Sequence, residues 1–167
     1  MDEVRIRTGS ASDVDAAVAL FSELDRFERG WRIFEPRADI FDRTRKHYEE
    51  LVAEGSGILV LAETGGRLVG MGVAEVARPS MVSDEQAVEI SNVFVDPDFR
   101  GRGIGRAIVR ELVNFAEGRG VERMVLKVFS ANQSGERFWT SLGFEPRYTQ
   151  FIARTEEVGG SEQQESG

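Results

Sequence analysis

The residues best suited to chemistry lie at positions 100–106, Arg100-Gly101-Arg102-Gly103-Ile104-Gly105-Arg106, where glycines alternate with larger residues and lead into a helical pattern. A pyrophosphate needs several converging N–H donors and room for the backbone to approach. Glycines supply the room. The first turn of a helix supplies N–H groups without intrahelical acceptors, at the positive end of the dipole. Arg100 and Arg102 add charge for phosphate. Two other phosphate-binding patterns fail. The dinucleotide fingerprint G-x-G-x-x-G would need a small residue at 106 or 108, where Arg106 and Ile108 stand. The nucleotide-hydrolase loop G-x-x-x-x-G-K-[ST] is absent. On the glycines alone, a plain strand-to-helix connector remains the competing reading.

Composition narrows the chemistry further. There is no cysteine, which excludes disulfides, thiolate metal sites and a cysteine nucleophile. His47 is the lone histidine, so a multi-histidine metal site is excluded and no metal is expected. The net charge is −8, part of it from Glu156, Glu157, Glu162 and Glu165 near the end. An acidic body argues against nucleic acid as the main partner and is compatible with a cationic substrate. The start of the chain lacks the apolar core of a signal peptide, and no apolar run is long enough to span a bilayer, so a cytoplasmic protein without a membrane partner is expected.

The elements that must position the glycine turn follow from periodicity. Val4 to Arg7 alternates as a first strand, and Ser12 with Asp13 opens a helix carrying Val14, Val18 and Phe21. A second helix is expected from about Ala38 to Glu54, ended by Gly55. Ile58–Glu63 and Leu68–Val76 read as strands around the hairpin turn Thr64-Gly65-Gly66-Arg67. A loop with Pro79 and Asp84 precedes a strand from Ala87 to Val95, closed by Asp96-Pro97. After the glycine turn, Ile104, Ile108, Leu112 and Phe115 mark a helical face that Gly118 and Gly120 end. Met124–Phe129 reads as a strand, a short helix carries Phe138 and Leu142, and Tyr148–Ala153 is a last strand candidate. Strand, glycine turn, helix and strand make a right-handed βαβ unit. With antiparallel strands before it, the expected fold is a single α/β domain with a mixed sheet over residues 1–155, followed by a disordered acidic tail at 156–167.

The strand from Glu89 to Val95, then Asp96-Pro97, then Arg100 to Gly105, resembles the acetyl-CoA signature of the GNAT superfamily of N-acetyltransferases. That signature is Arg or Gln, two residues, Gly, one residue, Gly or Ala, and Arg100, Gly103 and Gly105 fill it. Asn132 and the run from Phe138 to Phe144 resemble the family's second coenzyme region, and Arg5-Ile6-Arg7 with the helix at Asp13 resembles its start. The resemblance covers roughly residues 4–153.

The resemblance implies acetyl-CoA as cosubstrate and an amine as acceptor. It implies that the strand before the glycine turn splays from its parallel neighbour and that CoA lies in the gap. Backbone groups of Val93, Phe94 and Val95 would meet the pantetheine arm, N–H groups from Arg100 to Arg106 the pyrophosphate, and Asn132 the pantetheine from the neighbouring strand's end. The thioester oxygen needs a donor in the tetrahedral state, expected to be the Val95 N–H at a strand bulge. By position Glu89 resembles the base glutamate of histone-acetylating members; its alternative is an exposed, ion-paired strand carboxylate. Trp139 stands where many members carry an acidic Tyr. An indole N–H is not a useful acid, so Trp139 is expected beside the CoA tail, with Tyr148 or solvent left to protonate the thiolate. The acceptor pocket would be built around Phe27, Trp31, Phe34, Glu35 and Arg78, as pocket or as core. A coenzyme-binding module with weak turnover is the alternative function, kept open by Trp139. Homodimers are common in the family, although no residue here predicts one.

Overall fold

The computed structural model describes residues 3–78 and 83–159. The chain divides into two compact units, residues 1–132 and 133–167. The first holds β1 (Arg5–Thr8), α1 (Val14–Glu28), α2 (Ile40–Glu54), β2 (Gly57–Thr64), β3 (Arg67–Val76), β4 (Val88–Val95), α3 (Ile104–Gly118) and β5 (Met124–Leu126). The strands form one sheet in the order β1-β2-β3-β4-β5. The first three pairings are antiparallel and β4–β5 is parallel, as the βαβ reading requires.

Local chemistry explains most boundaries. Ser10, rather than Ser12, caps the first helical turn: its N–H and its Oγ both donate to Asp13 Oδ2, at 2.8 and 2.9 Å. Gly55 ends α2 in the left-handed region, φ 63°. Gly65 and Gly66 take φ of 55° and 74°, which a two-residue hairpin turn between β2 and β3 demands.

The sheet has helices on both faces. Leu59, Leu61, Met71, Val73 and Phe94 pack with Val14, Ala17, Val18 and Leu24 of α1 and with Tyr48 and Leu51 of α2. On the opposite face α3 presents its buried Ile104, Ile108, Val109, Leu112 and Ala116. It lies so close to β3 that a Cβ on Gly72 would stand 2.4 Å from Ile108 Cγ2. Gly70 and Gly72 are therefore glycines because a helix crosses them.

In the second unit, α4 (Gln133–Ser141) ends near Gly143, φ 94°. Trp139 packs edge-on to Phe138 and Phe144, with ring centroids at 5.0 and 5.2 Å. Two sequence expectations change here. Tyr148–Ala153 forms no strand, and Tyr148 and Phe151 are 99% and 89% exposed. A strand-prone segment becomes a strand only where a neighbour accepts its backbone hydrogen bonds. Thr155–Gly159, most of it within the stretch expected to be disordered, is a short helix, α5. Pro79 lies outside the described residues.

Candidate active site

β4 and β5 pair only at Val88–Met124, Glu89–Val125 and Ile90–Leu126. β4 then continues along β3 to Val95, while β5 stops at Leu126, short of the expected Phe129. From position 91 onward the β5-side edge of β4 has no strand beside it among the described residues, and the glycine turn stands at its far end.

The backbone groups facing this gap can be assigned. Asp96 N–H donates to Val69 O on β3 at 2.9 Å. Successive residues of a strand aim their N–H and C=O groups to alternate sides. Val95 and Val93 therefore face the gap, and Phe94 faces β3. Arg100 agrees with this, since its Nε donates to Val95 O at 2.9 Å. Of the three residues expected to meet the pantetheine, only Val93 and Val95 offer backbone groups there. Phe94 is a core ring.

The bulge is not at Val95. Val73 pairs with Asn92 and Ala74 with Ile90, so Ser91 is the extra residue. One extra residue reverses the side-chain alternation. Glu89, Asn92 and Phe94 thereby come to the α1/α2 face, opposite Glu75, Val73 and Met71. Without the bulge, Glu89 would share its face with Val93 and Val95. The signal in the sequence is the polar doublet Ser91-Asn92 interrupting the alternation of Val88-Glu89-Ile90. Tyr48, buried under α2, donates its hydroxyl to Asn92 Oδ1 at 3.0 Å. Burial pushes the phenol's pKa up, which keeps it a donor.

Gly101 and Gly103 adopt φ of 74° and 79°, and neither has an atom within 4 Å of where a Cβ would stand. The requirement for glycine is thus conformational, and the space above the turn is open. Gly103 caps α3 and no side chain fills the cap. The N–H groups of Ile104 and Gly105, in the first turn, point out of the helix start. The arginines of the turn also meet aromatic rings. The Arg100 guanidinium lies 5.1 Å over Phe27 and 5.9 Å over Phe94, while its Nε holds Val95. Arg102 donates to Asp98 O at 2.9 Å and lies over Phe99, at 5.1 Å. Arg67, from the hairpin, pairs with Asp96 and also approaches Phe99, at 5.8 Å.

Glu89 is partly exposed, with Lys127 Nζ 3.9 Å from Oε1. Asn132, at the end of the first unit, is half-buried and its N–H donates to Phe129 O at 2.8 Å. Of the acceptor-region residues, Phe27 and Trp31 meet edge-on at 5.0 Å, and Trp31 reaches Phe129 beyond β5 at 6.5 Å. Both therefore stand at the mouth of the gap. Phe34, Glu35 and Arg78 are exposed and join no ring cluster among the described residues. The loop after α1 is fixed by Asp25, which is fully buried and ion-paired with Arg32 and, at 3.3 Å, with Arg29. Nothing in the sequence distinguished Asp25 from a surface acid. Among the described residues no three His, Asp or Glu side chains are grouped to hold a metal, and no helix is long and apolar enough to cross a membrane.

The chain is 32% identical over 103 residues to an uncharacterised N-acetyltransferase of Methanocaldococcus jannaschii, covering 62% of this chain and 46% of that one. It is 38% identical over 85 residues to the N-alpha-acetyltransferase RimI of Mycobacterium tuberculosis, covering 50% and 49%. The chain thus spans about half the length of these curated relatives. A predicted acetyltransferase of Clostridium acetobutylicum, solved with acetyl-CoA, shares the fold with a TM-score of 0.75 at 18% identity, over 93% of this chain and 98% of that one. The description of the acetyltransferase (GNAT) family matches residues 18–144. This chain belongs to the GNAT acetyltransferase family.

Proposed function

We propose that the protein transfers the acetyl group of acetyl-CoA to a primary amine of a small molecule or protein. The observation that carries this reading is the parting of β4 from β5 beyond the Ile90–Leu126 pair, with an uncapped helix start at the far end. An extended pantetheine arm matches the spacing of an absent strand. It would take hydrogen bonds from Val93 and Val95 while the pyrophosphate meets the N–H groups after Gly103. The relatives and structural neighbours support an amine acceptor. Their names specify ribosomal-protein alanine, glucosamine 6-phosphate and aminoglycosides, all amine-bearing.

The chemistry needs three things from the chain. The ammonium form of the acceptor must lose a proton before its nitrogen attacks the thioester carbon, and Glu89 is the base. Its strand places it two residues before the bulge, on the face toward α2. Charge then develops on the carbonyl oxygen as the C–N bond forms, and the gap-facing N–H of Val93 or Val95 stabilises it. Finally the C–S bond breaks and the thiolate takes a proton. A thiol of pKa about 8.5 is a tolerable leaving group without a dedicated acid, so Trp139 in place of an acidic residue does not block the reaction.

A screen of amines by thiol release tests the function, because a chain without cysteine contributes no thiol background. Glu89→Gln should lower kcat near neutral pH by about 100-fold, within the usual range for losing a general base. Its acetyl-CoA affinity should be unchanged. Turnover in Glu89→Gln equal to wild type at every pH would remove Glu89 from the mechanism, and no thiol release with any amine would remove the function.

A further inference from the structure

The lone histidine has a place in the site that the motif does not account for. His47 projects from α2 so that its Nε2 lies 3.2 Å from Glu75 Oε1 on β3. Glu75 is the direct cross-strand partner of Glu89. In an antiparallel pair such residues share a face, with Cβ atoms about 4.5–5.5 Å apart, and like charges there destabilise each other. The two carboxylates are flanked at either end by a cationic group: His47 when protonated, and Lys127 at 3.9 Å from Glu89. The result is a row across the sheet, His47–Glu75–Glu89–Lys127, contributed by α2, β3, β4 and the segment after β5. His47 is also the member of the row that reaches solvent from α2, with 44% of its side chain exposed.

The other charged groups nearby are committed elsewhere. On α2 itself, Arg43, one turn before His47, pairs with Asp39 at 3.1 Å, Lys46 pairs with Glu50 at 3.6 Å, and Arg45 pairs with Asp15 of α1 at 2.8 Å. The adjacent Tyr48, whose ring is 6.2 Å from that of His47, stays protonated and donates to Asn92. Among the described residues, Glu75 is the acid that His47 meets directly, and Glu89 is the acid that Glu75 faces.

We propose that His47, acting through Glu75, is a positioning residue that sets the proton affinity of Glu89 and gives acetyl transfer a second pH-dependent limb. The proposal rests on Glu89 as the base. While His47 is charged it neutralises Glu75, and Glu89 feels a single nearby cation–anion balance. When His47 loses its proton, Glu75 stands uncompensated opposite Glu89, and the added negative charge strengthens Glu89 as a base.

The test uses two readouts, each on its own variants. With one histidine in the chain, a single imidazole signal reports its titration by NMR, without substrate or turnover. The midpoint should move to lower pH in Glu75→Gln, which removes the direct partner, and also in Glu89→Gln, which removes only the second carboxylate. In kinetics, the pH profile of kcat/KM should lose one ionisation in His47→Gln while the KM for acetyl-CoA stays within twofold. His47, Glu75 and Glu89 are all partly exposed, and their replacement by Gln leaves the core intact, so each readout comes from folded protein. A midpoint in Glu89→Gln identical to wild type, with only Glu75→Gln shifting it, would reduce the row to a surface ion pair and overturn the proposal. So would a His47→Gln profile unchanged from wild type. If no amine is acetylated, the function above fails, and the NMR titration still decides whether the row is coupled.

Discussion

Gly72→Ala tests how tightly α3 is seated, and with it the placement of the phosphate-binding turn. The new Cβ would stand 2.4 Å from Ile108 Cγ2 and 3.3 Å from Leu112 Cδ1. Ordinary carbon contacts lie at about 3.5–4.0 Å, so more than about 1 Å must open between helix and sheet. Ile108 is β-branched and confined to essentially one rotamer in a helix, so it cannot swing aside, and α3 itself must retreat. Overpacking of this kind costs about 1–3 kcal/mol. For a chain of this size that lowers Tm by about 3–10 °C. Thermal and denaturant melts read the loss, and calorimetry should show weaker acetyl-CoA binding, because Ile108 lies one turn along from Ile104. Ile108→Ala alone should also destabilise, by about 2–5 kcal/mol, through the cavity it leaves. In the double variant the methyl group added at position 72 would occupy part of that cavity, so the two losses should fall short of additivity by about 1 kcal/mol or more. Simple additivity, or a Gly72→Ala protein as stable as wild type, would refute the contact.

Other outcomes follow from single contacts. Hydrogen bonds from Arg7 hold the Asp13 carboxyl well below the usual carboxylate range. A depressed carboxyl contributes stability that is full above its unfolded pKa of about 3.9 and is lost as pH falls toward the folded value. Asp13→Asn should therefore cost about 1–2 kcal/mol at pH 7, with the difference from wild type shrinking below about pH 4; equal losses at pH 7 and pH 3 would contradict this. For Trp139→Phe, kcat should stay within twofold of wild type in the thiol-release assay, because its ring packs between Phe138 and Phe144 and donation from the indole is not required. A tenfold fall in kcat without loss of stability would give the indole a role in the chemistry.

The parts of this molecule legible in the sequence are those whose signals are local. The glycine pair at 65 and 66, the Gly55 cap, the apolar face of α3 and the turn at 101–105 all act through their own backbone conformation or periodicity. Long-range effects were less visible. The Ser91 bulge reversed the facing of β4, and only the break in alternation at Ser91-Asn92 announced it. Gly70 and Gly72 stood inside the expected strand Leu68–Val76 without marking which element crosses them, although a glycine inside a strand signals a close approach. Arg100 and Arg102 looked like phosphate ligands by charge. Their guanidinium groups lie over Phe27, Phe94 and Phe99, ring contacts that charge and spacing did not announce, and two of those rings belong to the glycine turn's own flanks. The Tyr148–Ala153 candidate named no partner strand, and a segment without a partner does not make a sheet. His47 and Glu75 are far apart in sequence and meet only through the register of α2 on β3.

The central claim is that the turn at Arg100–Gly105 and the open edge of β4 hold acetyl-CoA. Calorimetric titration of the wild-type protein with acetyl-CoA, beside Gly103→Glu, tests it most directly. The variant puts a side chain at φ 79°, a strain of about 1–2 kcal/mol that a domain of this size can bear, and it sets a negative charge at the helix start. Saturable one-site binding is expected for the wild type, and at least 100-fold weaker binding for a folded Gly103→Glu protein. Equal binding to both proteins, or none to the wild type, would contradict it.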